Sequence, residues 1–89
     1  MKIKYGKKFL KELADIPSAH RIPIEKFVFE ILPQLNSIYE SNKIESLKGY
    51  KNYYKSRFGN YRVVLMYEEE LRTVERVLHR KEFYRYFPS

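Results

Sequence analysis

The chain predicts an α+β fold of order β-α-α-β-β-β, with two helices packed on one face of a small, mostly antiparallel sheet. Three observations predict it. Tyr53–Phe58 and Tyr61–Tyr67 are strand-like runs separated by Gly59-Asn60, a pair that supplies the positive φ angles of a two-residue hairpin turn. Apolar residues recur at spacings of three and four over Phe9–Ile16 and again over Ile24–Ile38, the signature of amphipathic helices. At 89 residues there is room for one core, so these elements form a single domain over residues 1–89.

Taken in order, Lys2–Tyr5 alternates Lys, Ile, Lys, Tyr and reads as a short strand ended by Gly6. Phe9, Leu10, Leu13 and Ile16 form one face of a short helix that Pro17-Ser18 breaks. Pro23 suits the first turn of the next helix, which needs no donor there. Ile24, Phe27, Val28, Ile31, Leu32, Leu35 and Ile38 carry that helix to about Ser41. Pro33 lies inside it and kinks or divides it near Phe29–Leu32, because it lacks an N–H and crowds the preceding turn. Asn42–Tyr50 is polar and reads as a loop. Glu68-Glu69-Glu70 turns the meander into its last strand, Arg72–Leu78, and His79–Phe87 follows as one helical turn or an irregular cap.

Composition narrows the function. Cys is absent, so disulfide scaffolds, Cys-ligated zinc and thiol catalysis are excluded. Two isolated His and no His-Cys cluster argue against a metal site, and no cofactor motif is visible. No apolar run approaches a membrane span and no export signal opens the chain, so the expected location is the cytoplasm and no membrane partner is expected. The formal net charge is +7, which points to a polyanionic partner. Residues 43–62 carry six basic side chains against Glu45 alone, so most of the excess sits in one stretch. Tyr50, Tyr53, Tyr54 and Tyr61 interleave with those cations, the mixture that stacks bases and grips phosphates.

The hairpin turn, taken literally, pairs Phe58 with Tyr61 and Arg57 with Arg62. Alternation then divides the strands. Tyr54, Ser56, Phe58, Tyr61, Val63 and Leu65 face the helices. Tyr53, Lys55, Arg57, Arg62, Val64 and Met66 face away. Like charges directly opposite destabilise a sheet, so Lys55, Arg57 and Arg62 on one face point to an anionic visitor. His79, Arg80 and Tyr84 follow the last strand and are expected at the same face, while His20 marks a helix boundary.

Leu47-Lys48-Gly49-Tyr50, Tyr54-Lys55-Ser56-Arg57, Gly59-Asn60-Tyr61-Arg62-Val63 and His79-Arg80-Lys81-Glu82-Phe83-Tyr84 occur in the order and spacing of the RelE-type toxins of the RelE/ParE superfamily. With the leading strand and two helices, the chain resembles that family over essentially its whole length. The resemblance implies a bacterial toxin–antitoxin module whose toxin cuts mRNA in the ribosomal A site without metal. In that reaction the 2′-hydroxyl attacks the adjacent phosphate and leaves a 2′,3′-cyclic phosphate. Such cleavage needs a base, cations for the crowded phosphorane and an acid for the 5′-oxygen.

By resemblance, Lys55 and Arg57 fall on the family's two basic strand positions and Arg62 on its phosphate-stabilising arginine. Arg80 falls on the arginine after the last strand and Tyr84 on the stacking tyrosine. His79 is a better proton donor than Arg80 near neutral pH. Lys48, Lys51, Tyr53 and Lys81 complete the expected RNA contacts. The implied partners are a cognate, acidic antitoxin, the ribosome and mRNA. Two other readings come from different classes: a ParE-like DNA gyrase inhibitor, and a non-catalytic RNA- or ribosome-binding module.

Overall fold

A computed structural model describes residues 2–87. A five-stranded sheet of order β1-β5-β4-β3-β2 is the frame. Its strands are β1 (Lys2–Tyr5), β2 (Ile44–Ser46), β3 (Tyr53–Phe58), β4 (Tyr61–Glu68) and β5 (Leu71–His79). Only β1 runs parallel to its neighbour, β5; the other pairs are antiparallel. The hairpin register is the expected one, with Phe58 opposite Tyr61 and Arg57 opposite Arg62. The connection to β5 is tighter than expected, since Glu68 closes β4 and leaves Glu69-Glu70 as the turn, Glu69 at φ 55°.

Two helices, α1 (Lys7–Ala14) and α2 (Ser18–Glu25), cover one face. Phe9, Leu13, Ile24, Phe27, Val28 and Leu32 pack there against Val63, Leu65, Val74 and Val77. The third helix, α3 (Arg80–Tyr86), lies on the opposite face, where Phe83 packs with Leu47, Val64 and Leu78. Alternation along β4 therefore serves two cores, Val63 and Leu65 for one and Val64 for the other. The expected one-turn tail is thus a seven-residue helix, with His79 as its N-cap.

Three sequence expectations need correction. The loop read over Asn42–Tyr50 contains β2, whose Ile44 and Ser46 pair with Ser56 and Tyr54 of β3. Three residues at an edge are too few to show a period. Pro23 lies at the sixth position of α2 rather than in its first turn, because the helix starts directly after Pro17. The expected long helix also stops well before Ser41. Beyond α2 the chain widens into a π-helical segment, Lys26–Ile31, then a 3₁₀ turn, Leu32–Gln34, and Leu35 is extended.

Pro33 explains how that helix ends. In the π register the Leu32 N–H donates to the Phe27 carbonyl, five residues back. The Val28 carbonyl would then need a donor from residue 33, where Pro33 has none. The Tyr5 hydroxyl supplies it at 2.6 Å, and burial pushes that phenol's pKa up. Arg72 closes the next carbonyls, donating from Nη1 to Leu32 at 2.6 Å and from Nη2 to Leu35 at 2.7 Å. It is 1% exposed, and burial lowers its pKa, opposed by Tyr67 and Glu40. A cation at a helix C-terminus also meets the negative end of the dipole.

Candidate functional site

The site is built around the β3–β4 turn. Gly59, at φ 59°, makes the turn. The Arg80 N–H donates to the Asn60 carbonyl at 2.7 Å, which seats the first turn of α3 on the hairpin tip. This bond extends the β4–β5 ladder, which ends on the Tyr61–His79 pair, and so joins segments 20 residues apart in sequence. It stations Arg57, Arg62 and Arg80 around one end of the sheet.

The three arginines are not equivalent. Arg57 and Arg80 are exposed. Arg62 is 6% exposed, and its Nη1 donates to the carbonyls of Gly59 at 2.8 Å and Tyr61 at 3.1 Å. Those bonds draw its charge into the turn and away from the outward-reaching Arg57, which relieves the expected like-charge repulsion. Lys55, half-buried, sets its Nζ 5.6 Å from the centre of the Phe83 ring, so α3 also positions this amine. Tyr84 is 52% exposed with its ring edge-on to Phe83 at 5.6 Å, leaving a face free to stack.

The remaining expected residues lie elsewhere. His79 pairs with Tyr61 across β4–β5, and their rings stand 5.6 Å apart at 84°. Tyr61 packs on the core under α1 and α2, so the expectation that His79 joins the face of Lys55 is corrected. Its Nδ1 accepts the Lys81 N–H at 3.3 Å, a cap that exists only while Nδ1 is unprotonated. Exposed Lys81 lies in α3. Exposed Lys48 and Lys51 lie on the loop before β3, and half-buried Tyr53 opens that strand at the end away from the turn.

Other contacts were missed in the sequence. His20 also lies against Tyr61, at 5.6 Å, so both imidazoles of the chain meet one phenol ring. Lys43 sits over the Phe58 ring at 4.6 Å, beside Arg57. Glu12 of α1 grips Arg76 through Nε and Nη2 and also accepts the Val77 N–H at 3.1 Å. The Glu12 hydrogen bonds raise the Arg76 pKa, against a lowering from burial, and Arg76 reaches 5.0 Å from the Tyr86 ring of α3. None of these has a local sequence signal, since the partners are far apart in the chain. Among the described residues no three imidazole or carboxylate side chains converge to hold a metal ion, and no helix is long and apolar enough to cross a membrane.

Comparisons with known proteins place this architecture. Residues 3–84 match the family described as the ParE toxin of the type II toxin–antitoxin system parDE. Toxin RelE3 of Methanocaldococcus jannaschii is 39% identical over 89 residues, covering 99% of this chain and 100% of the relative. The toxin fold is shared with the RelB–RelE antitoxin–toxin complex of Methanococcus jannaschii. That match has a TM-score of 0.79 and 36% identity, over 96% of this chain and 99% of that one. YafQ of E. coli matches at TM-score 0.71 and 14% identity, over 93% and 97% of the two chains, a likeness of fold alone. The chain belongs to the ParE toxin family of type II toxin–antitoxin systems, as a RelE-type toxin.

Proposed function

We propose that this toxin is a metal-independent endoribonuclease that cuts mRNA in the ribosomal A site. The observation that supports this best is the seating of Arg80 on the Asn60 carbonyl, which sets three arginines around the hairpin tip beside Lys55. In the proposed reaction the free amine of Lys55 takes the 2′-hydroxyl proton. The 2′-oxygen bonds to phosphorus, the bond from phosphorus to the 5′-oxygen breaks, and a 2′,3′-cyclic phosphate remains. Arg57, Arg62 and Arg80 stabilise the charge that gathers on the phosphorane. Arg62 is buried with its Nη1 on the turn carbonyls, so it acts through its charge, while Arg57 and Arg80 make the exposed contacts.

The departing 5′-oxygen takes its proton from solvent, since His79 lies beside Tyr61 on the helix-covered side. Tyr84 stacks on a base, and Lys48, Lys51, Tyr53 and Lys81 hold the strand. Ribosomes programmed with mRNA bearing a single 2′-deoxy nucleotide at the cut site test the chemistry. The all-ribose message is cut to a cyclic phosphate end and the deoxy message resists; cutting of the deoxy message contradicts the mechanism.

The matching family carries the ParE name, which favours gyrase inhibition as the second reading. Trapped gyrase–DNA breaks with intact mRNA would establish it. Arrest with intact mRNA and no breaks would leave a non-catalytic ribosome binder.

The proposal includes an acidic antitoxin as partner, supported by the +7 charge and by the RelB-bound state of the M. jannaschii relative. Ile22 and Ile31, 61% and 41% exposed on the helix layer, offer it apolar contact. Its association rate falls as salt rises, because steering is screened; a rate indifferent to salt removes the electrostatic part.

A further inference from the structure

Beyond Tyr53, the face that carries Lys55 opens into a cleft of about 820 Å³. Its walls are aromatic: Phe87 stands 5.3 Å from Tyr50 and 6.3 Å from Tyr53, ring centre to ring centre. Exposed Lys4 and Lys8 also line it. Glu75 joins them at a β-bulge. Val64 pairs with Arg76 and Leu65 with Val74, so Glu75 is the extra residue between two ladder pairs. Its Oε2 is buried and has no hydrogen-bond partner among the described residues. The Tyr53 hydroxyl neighbours this carboxylate; burial first, and then hydrogen bonding to Glu75, push the phenol's pKa up, and Oε2 is the oxygen left without a donor.

These features fit one kind of ligand. A buried carboxylate oxygen without a donor is an unfavourable state that a visiting N–H would relieve. Flat aromatic walls take a flat, polarisable group, and a lysine rim takes phosphate. Among the four RNA bases, guanine alone offers two adjacent N–H donors, N1–H and N2–H, on its Watson–Crick edge. Those match the two oxygens of a carboxylate. Adenine and cytosine place a bare ring nitrogen beside their amino group, and uracil places carbonyls on both sides of its one N–H. Bare acceptors repel a carboxylate. The terminal torsion of Glu is broad, so the carboxylate can turn both oxygens to the cleft.

We propose that this cleft binds a guanine base of the RNA strand. Glu75 reads its Watson–Crick edge, the base lies against the aromatic wall of Tyr50, Tyr53 and Phe87, and Lys4 and Lys8 hold a neighbouring phosphate. The strand reaches it from the cleavage face, because Tyr53 and Lys55 are same-face neighbours on β3. This inference rests on the RNA reading of that face, and its test does not require cleavage.

The test uses the full chain and fluorescent uridine oligomers, 2′-O-methylated throughout so that they resist cutting, with one central guanine, inosine or adenine. Anisotropy titrations give the affinities. Guanine binds about tenfold tighter than adenine, as a bidentate base contact does, and inosine, which lacks the N2 amine, falls between. Glu75→Gln, which keeps the shape and replaces one acceptor with a donor, brings the three within twofold of one another. Free GMP binds at least tenfold more weakly than the guanine oligomer, since it lacks the phosphates that reach Lys55.

A flat series on the parent protein overturns the proposal, and it is the expected pattern if the cleft takes a protein segment instead. Guanine preference retained in Glu75→Gln overturns the role of Glu75, and GMP matching the oligomer overturns the assignment to a strand. Should Glu75→Gln fail to fold, the base series on the parent decides alone. Base preference without cleavage on ribosomes would sink the catalytic reading and leave this one standing. Cleavage with a flat series would do the reverse.

Discussion

Under α1, α2 and the π-helical segment the sheet is closed by eleven buried apolar residues, whereas the patch beneath α3 has four. The first face is closed along its length. On the second, α3 covers the hairpin end and leaves a cleft at the other, bordered by cations and Tyr rings. One set of strands thus supports two kinds of surface. The helix-covered side supplies most of the burial that an 89-residue chain needs to fold. The other side can therefore hold Lys55, Arg57 and Arg80 in solvent contact, where apolar residues would have packed better.

The largest expected effect lies on the first face. Phe27, 2% exposed and 5.4 Å from the Phe58 ring, is central to it. Phe27→Ala is expected to lose about 3–5 kcal/mol in urea unfolding, a large part of what a small domain has. Phe83→Ala is expected to lose less, because its cluster borders solvent and a cavity there can refill with water. If the two losses are equal, the faces contribute alike and the contrast fails.

Arg72 gives the next effect. It is a charge inside the first face whose task is to satisfy two carbonyls. Arg72→Met keeps the stem and removes the donors, and about 1.5–3 kcal/mol is expected to be lost. An unchanged urea midpoint would mean that the end of the helix layer is held by other contacts.

How legible was this in the sequence? Gly59-Asn60 set the hairpin register to the residue, because two-residue turns allow few geometries. Strict alternation along β4 likewise placed Val63 and Leu65 under the helices. What stayed hidden depends on distant partners. Arg72 reads as a polar strand residue, and its burial follows from carbonyls 40 and 37 positions away. Arg62 reads as an outward cation, yet the turn it follows draws it in. The π register has no side-chain pattern of its own; Pro33 announced a break and not its form. His79 was placed on the wrong face because β5 runs one residue past Leu78, and alternation carries His79 to the side of its partner Tyr61. The ordered basic and aromatic motifs were readable as a family likeness, but their division of labour was not.

A smaller effect sharpens the contrast through pH. The Tyr5 pKa is raised in the folded state, so its protonated form stabilises the fold. That contribution is complete below the unfolded value, about 10, and is lost as pH rises through the folded value above it. Tyr5→Phe is expected to lose about 0.5–1.5 kcal/mol at neutral pH and to flatten part of the alkaline decline. Tyr53 and Tyr54 are also raised, so some decline remains. An alkaline slope unchanged by Tyr5→Phe would detach this phenol from the end of the helix.

The most direct test of the account measures activity and stability together in Arg80→Ala. Its side chain is exposed, and the bond to Asn60 uses only its backbone N–H. Urea unfolding is therefore expected to stay within about 0.5 kcal/mol of the parent. Cleavage of ribosome-bound mRNA is expected to fall about 10²–10³-fold, as when one donor to a developing charge is removed. Parent-like cleavage by a folded Arg80→Ala variant would contradict the claim that the open face of the sheet is where this toxin works.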